Sequence, residues 1–330
     1  MNKVQIIGTG SYLPEKVVSN FDLAKIVDTS DEWISSRTGI KERRISEGEN
    51  TSDLATKAAL NAIENSNINP EDIDLIVLGT LTPDSFMPST ACIVQKNIGA
   101  INATCFDISA ACTGFIFALD IATQFIKTGK SRVALIIGSE TLSKVVNWED
   151  RNTCVLFADG AGAAVLKAGD ENSILATYSG SEGTKGNHLT CDSIPVKNPY
   201  VKEKNIVAVD ENCSTIKMDG KEIFKFAVNI IIQSINELLK IAELQLEDIK
   251  YIIPHQANTR IIDFTAKKLG ISQSKFFVNL DKYGNTSAAS IAIALDEMSR
   301  KGMLEKGDKI LLVGFGGGLT YGGTIIQWKL

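Results

Sequence analysis

Three residues in the chain have types and settings that suit nucleophilic chemistry. Cys112 stands in Asp107-Ile108-Ser109-Ala110-Ala111-Cys112-Thr113-Gly114-Phe115, where a strand-like run gives way to an apolar helical one. A thiol in the first turn of a helix feels the positive end of the helix dipole, which favours thiolate. The small neighbours Ala110, Ala111 and Gly114 leave room for a substrate. His255, one of only two histidines, stands in Pro254-His255-Gln256-Ala257-Asn258, just after an apolar strand-like run. Residues at the C-terminal ends of parallel strands commonly carry function. Asn285 lies in Gly284-Asn285-Thr286-Ser287-Ala288-Ala289-Ser290. Gly-Asn usually marks a turn, and a turn can also carry a working amide. Thiol, imidazole and amide together can make a nucleophile and its activating groups.

Plainer readings compete with these. A free cysteine taken at random is usually buried and inert. That reading suffices for Cys92, Cys105, Cys154, Cys191 and Cys213. His255 alone would ordinarily be a satisfied structural histidine. The cluster Gly314-Phe315-Gly316-Gly317-Gly318 lets backbone N–H groups come close to a ligand. Neither it nor Gly8-Thr9-Gly10 completes a G-x-G-x-x-G pattern, and no P-loop pattern occurs, so both nucleotide readings are set aside.

Composition narrows the field further. At 330 residues and 44% hydrophobic, the chain can fill one large core or two fused halves. A net charge of −5 gives no bias towards nucleic acid. No uninterrupted apolar run reaches the roughly 18 residues of a membrane span, and the apolar stretch at the N-terminus is short for a signal peptide. Neither nucleic acid nor membrane is expected as a partner. No C-x-x-C pair occurs, so zinc and thioredoxin-like readings lack their spacing and no metal is expected. Six cysteines without such a framework fit a reducing cytoplasm.

The elements that must position the three residues occur twice. Glu71-Asp72-Ile73 resembles Glu247-Asp248-Ile249, Ala118-Leu119-Asp120 matches Ala294-Leu295-Asp296, and Gly138 matches Gly314, each pair 176 residues apart. One common offset implies a duplicated unit, and two copies exclude a solenoid. Runs 74–79, 133–138, 250–254 and 309–314 suit strands of a parallel sheet buried on both faces. Segments 110–122 and 287–295 are apolar nearly all round and predict buried helices. Residues 226–241 carry the spacing of an amphipathic helix, and residues 181–213 read as loops with a hairpin. The expected organisation is two α/β halves, 1–170 with Cys112 and 171–330 with His255 and Asn285, meeting around a buried helix pair. Ala288 is the counterpart of Cys112, so the duplication places Asn285 close to Cys112 across a pseudo-twofold axis.

These motifs resemble beta-ketoacyl-acyl-carrier-protein synthase III of the thiolase superfamily. The resemblance runs essentially end to end and includes Asp31-Glu32-Trp33-Ile34, Arg37-Thr38-Gly39-Ile40, Phe157-Ala158-Asp159-Gly160-Ala161-Gly162-Ala163 and Phe315-Gly316-Gly317-Gly318-Leu319-Thr320-Tyr321-Gly322. It implies a thiolase-like α/β fold layered helix-sheet-helix-sheet-helix around central helices. It implies that Cys112 takes an acyl group from acetyl-CoA or a similar short acyl-CoA, with the backbone N–H groups of Cys112 and Gly317 as oxyanion hole. Malonyl-acyl-carrier-protein then enters and loses carbon dioxide while His255 and Asn285 donate to its thioester oxygen, and the enolate attacks the acyl group. No cofactor is called for. The resemblance further assigns CoA contacts to Thr29, Trp33, Arg37, Arg151, Gly220 and Asn258, and the acyl pocket to Met87 and Phe315. It gives a carrier-protein surface to Lys225, Arg260, Lys267 and Lys268, and implies a homodimer.

Two features depart from the family pattern. Met87 stands where phenylalanine is common, at a position that reaches the partner subunit's pocket, and residues 185–213 form a longer stretch near the pocket mouth. A flexible thioether at such a wall alters acyl-chain choice. Three other functions are weighed: a specialised condensing enzyme or acyltransferase, a degradative thiolase, and a non-catalytic acyl-CoA or carrier-binding subunit. The thiolase reading lacks its second cysteine in 314–323, and the non-catalytic one is disfavoured by an intact Cys, His and Asn.

Overall fold

The computed structural model describes residues 1–196, 198–200 and 214–330. Two sheets dominate. The first runs in the order Lys3–Tyr12, Asp159–Gly169, Val133–Thr141, Leu75–Gly79, Thr104–Ile108. The second runs Ile174–Ser181, Thr320–Gln327, Lys309–Gly316, Tyr251–Pro254. In both, a parallel pair (Leu75–Gly79 with Val133–Thr141, Tyr251–Pro254 with Lys309–Gly316) is followed by two antiparallel steps. Over four strands the two orders are the same topology, the first sheet adding Thr104–Ile108 beyond its parallel pair, and these pairs begin 176 residues apart, at Leu75 and Tyr251 and at Val133 and Lys309. All residues of Leu75–Gly79 and Val133–Thr141 are buried, as expected for strands covered on both faces.

Five layers result. Helices Thr51–Ser66 and Thr90–Ile98 cover the outer face of the first sheet. Helices Gly220–Ala242 and Thr259–Leu269 lie outside the second. Between the sheets lie Gly114–Lys127 and Ser290–Arg300, whose apolar side chains share one core with both sheets. Every residue of the stretch 290–296 is buried. Asp296 is a charged exception in this layer. Its carboxylate accepts from Thr9 Oγ1 at 2.9 Å, Ser11 Oγ at 2.6 Å and Arg300 Nε at 2.8 Å, so the central helix of the second sheet is clipped to the first strand of the chain.

The apolar helices begin later than the sequence pattern predicts. Residues Ala111–Thr113 and Ser287–Ala289 form 3-10 turns, and the α-helices start at Gly114 and Ser290. The cause is local. Ala111 and Ser287, again 176 apart, have φ of 44° and 48°, which an α-helix cannot continue through. In the segment read as loops with a hairpin, Gly183–His188 is a 3-10 helix, and Leu189–Cys191 pairs antiparallel with Ile216–Met218, beyond the expected stretch. Residues 197 and 201–213, Cys213 among them, lie outside the described residues.

Candidate active site

The two strained turns meet. Cys112 sits in the first and is 7% exposed. The glycine cluster closes over it: a Cβ on Gly316 would lie 2.7 Å from the Cys112 backbone nitrogen, so only a bare backbone fits there. Thr113 Oγ1 and Thr320 Oγ1 bond each other at 2.8 Å. Both also bond Ala110 O, at 2.7 and 3.1 Å, and Thr320 adds Gly317 O at 3.0 Å, which pins the glycine loop to the nucleophile turn. Burial pushes the Cys112 thiol up to about 12, the Ser287 hydroxyl pulls against it and the Glu140 carboxylate adds to it. The thiolate expected from a helix-start position is therefore not the resting form. Desolvation outweighs the dipole because the sulfur is enclosed and the α-helix begins two residues later.

His255 extends the strand Tyr251–Pro254 by one residue, its N–H donating to Val313 O at 2.8 Å. It is 2% exposed, and burial holds it neutral, down to about 3. Its Nδ1 lies 2.8 Å from Ser290 Oγ, the first residue of a central helix, and its ring meets Phe315 edge-on at 5.5 Å. Ser290 Oγ also accepts from Gln256 N–H at 3.4 Å, and with its own proton given to Nδ1 the neutral ring carries its proton on Nε2. Asn285 is fixed three times: its N–H donates to Leu156 O, its carbonyl accepts from Ala158 N–H, and its Oδ1 accepts from Ser287 N–H, all at 2.9 Å. With Oδ1 taken, Nδ2 is the group able to donate to a ligand. The neighbouring Gly284 has φ of 63° and backs onto Arg43 and Ala158.

Two cavities lie on either side of the segment 155–157. The larger, about 1110 Å³, is lined by Cys112, Ser287, Gly317, the loop 80–86 and the stretch 189–194. Phe157 lines it, whereas Val155 and Leu156 line the second, of about 360 Å³. Trp33, Arg37, Gly220 and Asn258 also line the second, together with Arg260. Arg37 stacks on the Trp33 ring at 4.4 Å and Arg151 at 5.0 Å. Asn258 caps the helix Thr259–Leu269 and donates to Arg37 O at 3.0 Å. Thr29 precedes the N-cap of the Trp33 helix, and its Oγ1 is buried without a partner. Lys225, Arg260, Lys267 and Lys268 are exposed on two helices joined by a Phe224–Phe264 ring contact. Phe315 is buried against His255, while Met87 stands 84% exposed and Phe86 turns towards the large cavity.

Sequence reasoning missed three residues here. Glu140 is fully buried at the end of Val133–Thr141. It accepts from Thr80 Oγ1 at 3.1 Å, Leu81 N–H at 3.1 Å, and Thr82 N–H and Oγ1 at 3.2 and 2.6 Å. Its carboxylate follows a wholly apolar run, a signal that could have been read. Ser287 was visible only as the polar counterpart of Ala111. Arg43, fully buried, donates to Asn20 Oδ1 and Val155 O, each at 2.9 Å, and so braces the segment on which Asn285 hangs. Among the described residues no group of three or more His, Cys, Asp or Glu is arranged to hold a metal ion.

Comparison with known proteins agrees with this arrangement. Residues 106–183 match the family described as 3-oxoacyl-[acyl-carrier-protein (ACP)] synthase III, and residues 239–328 match its C-terminal part. The beta-ketoacyl-[acyl-carrier-protein] synthase III of Clostridium kluyveri is 62% identical over 327 residues, covering 99% of each chain. That of Clostridium acetobutylicum is 60% identical over 328 residues, again 99% of each. The crystal structure of 3-oxoacyl-[acyl-carrier-protein] synthase III from Aquifex aeolicus superposes with a TM-score of 0.91 at 50% identity, covering 98% of this chain and all of that one.

Proposed function

Since the chain belongs to the beta-ketoacyl-[acyl-carrier-protein] synthase III family, condensing acyltransferases of fatty-acid initiation, we propose that it works through an acyl-Cys112 intermediate with acetyl-CoA as the first acyl donor. The CoA enters along the cavity of Trp33, Arg37, Gly220 and Asn258, its adenine against the Trp33 ring and the guanidinium groups of Arg37 and Arg151, and we assign Thr29 to the same contact. Cys112 attacks the thioester, and the N–H groups of Cys112 and Gly317 receive the oxyanion. CoA leaves, and malonyl-acyl-carrier-protein docks on Lys225, Arg260, Lys267 and Lys268. Nε2 of His255 and Nδ2 of Asn285 donate to the thioester oxygen while carbon dioxide departs. The enolate attacks the acyl carbon and yields a 3-oxoacyl-acyl-carrier-protein. The scheme needs no cofactor, and we assign it to a reducing cytoplasm. Among the described residues no helix is long and apolar enough to cross a membrane.

What carries this reading is the meeting of the two duplicated turns, one bearing Cys112 and the other held by Asn285 Oδ1. The test is intact-mass analysis after incubation with a panel of acyl-CoAs. The parent protein should gain one acyl group, acetyl most readily, and Cys112→Ala should gain none. A full adduct on Cys112→Ala would move the nucleophile elsewhere.

A further inference from the structure

The acylation step leaves a proton without an acceptor. His255 is neutral and its Nδ1 is engaged by Ser290, so it gives hydrogen bonds far more readily than it takes a proton. Cys112 starts as a thiol in a closed site. One residue at this site is anomalous twice over. Ser287 has φ of 48°, a region uncommon outside glycine, asparagine and aspartate, and its hydroxyl is buried with no hydrogen-bond partner. An unsatisfied buried hydroxyl costs about 1–3 kcal/mol and calls for an explanation. The hydroxyl lines the same cavity as Cys112 and stands beside both the thiol and the Glu140 carboxylate, without ordinary hydrogen-bond geometry to either.

We propose that Ser287 is a catalytic hydroxyl of the acylation step, relaying the Cys112 proton to Glu140, which acts through it as a positioning residue. This rests on the acyl-Cys112 reading above. As the sulfur attacks the thioester carbon, the Cys112 proton passes to Ser287 Oγ and the Ser287 proton to a Glu140 carboxylate oxygen. The new C–S bond forms, the bond to CoA breaks, and the proton returns through Ser287 to the departing CoA thiolate, which leaves as a thiol. The relay solves an electrostatic problem. Thiolate and carboxylate side by side in a desolvated site repel, whereas transfer from one to the other keeps a single buried negative charge throughout. The donors from Thr80, Leu81 and Thr82 fix the carboxylate so that no reorganisation precedes the transfer. Burial pushes Glu140 up to about 7, against those hydrogen bonds, so near neutral pH it can both take and return a proton.

The test is single-turnover acylation of Cys112 by saturating acetyl-CoA, followed by intact mass across pH 5.5–8.5. The charged or titratable groups facing Glu140 are the Cys112 thiol and Lys144. Neither Cys112, at about 12, nor His255, at about 3, titrates in that window. In the parent protein the rate should rise as Glu140 loses its proton, with an inflection near 7. Ser287→Ala and Glu140→Gln should each slow acylation on the order of a hundredfold and abolish that inflection, while the KM for acetyl-CoA stays within about twofold. Glu140→Asp should restore part of the rate and the inflection with it. Ser287→Ala is tolerated by the backbone, because its duplicate Ala111 already holds an alanine at φ of 44°. Acylation of Ser287→Ala at the parent rate would overturn the relay. So would a slower rate with the inflection unchanged, since that is what a packing role gives. An adduct on Cys112→Ala would instead sink the underlying reading.

Discussion

In the proposed scheme His255 works as a neutral donor, and its surroundings favour that role. Burial removes the stabilisation water gives an imidazolium, and with Ser290 Oγ donating to Nδ1 the neutral ring keeps an Nε2–H to offer without adding charge. Asn285 is oriented in the same way, with Oδ1 held by the Ser287 N–H. In that scheme both donors serve an anion that exists only during decarboxylation. His255→Ala or Asn285→Ala should therefore lower condensation on the order of a hundredfold or more, measured with malonyl-carrier protein, while acetyl transfer to Cys112 persists. The decarboxylation step should also lack the inflection around pH 6.5 of an ordinary histidine. Normal condensation by either variant, or such an inflection, would remove these roles. The candidates Cys112, His255 and Asn285 stand out in the sequence because each sits in a local context that advertises it. Glu140, Ser287 and Arg43 do not stand out so, because their partners are spatial, although the carboxylate after an apolar run and the polar counterpart of Ala111 were faint signals. Glu140 meets the loop 80–82 from the end of another strand, and nothing in its own neighbourhood announces that loop. The sequence also suggested a thiolate at Cys112, since position along a helix can be read from a pattern and enclosure cannot.

At the scale of elements, the site depends on how closely two turns and two strands approach. Gly138 lies on the strand Val133–Thr141, and a Cβ there would run into the backbone of Ala288, 2.7 Å from its carbonyl carbon. Gly79 is similar, with Gly114 C at 2.6 Å from its would-be Cβ. No flexible side chain can yield at either point. Gly138→Ala should cost about 1–3 kcal/mol of stability, read from the denaturant midpoint. Because the turn it displaces carries Ser287 and adjoins Asn285, it should also slow acylation and condensation together. An unchanged midpoint would show that the turns can part without strain. The strands and the duplication were readable ahead of the structure because apolar runs and a common offset are properties of the chain itself. The 3-10 starts of both central helices were not, because Ala111 and Ser287 adopt positive φ under the packing of the opposite turn rather than by their own preference.

At the scale of the molecule, two surfaces bear on function. Phe86 and Ile194 line the large cavity yet are 78% and 72% exposed, and Met87 beside Phe86 is 84% exposed, so apolar side chains stand in solvent there. We expect a homodimer in which Met87 walls the partner's acyl pocket, so Met87→Phe should shift chain-length preference across the acyl-CoA panel. A monomer by light scattering at micromolar concentration, or identical acyl profiles, would undo this. The proposed carrier surface is local in an otherwise acidic chain, and Arg260 and Lys267 lie on one face of the helix Thr259–Leu269. Reversing both charges should slow carrier-dependent condensation and spare acetyl transfer, and added salt should mimic the effect in the parent, since exposed charges are screened within about 10 Å at 0.1 M. Intact condensation at low salt would reduce the patch to a solvated face. The clip between Thr9 and Asp296 carries a different consequence, one of timing. The partners are 287 positions apart, so at about 5–20 residues per second the first strand waits roughly 15–60 seconds after leaving the ribosome before the helix that covers it exists. During that interval Gly114–Lys127 is the one central helix against the inner face of the first sheet, and the ground that Ser290–Arg300 will cover stays open. The newborn first half thus keeps part of its apolar face uncovered until the chain is nearly complete, and the carboxylate of Asp296 is the clip that fastens the last cover in place.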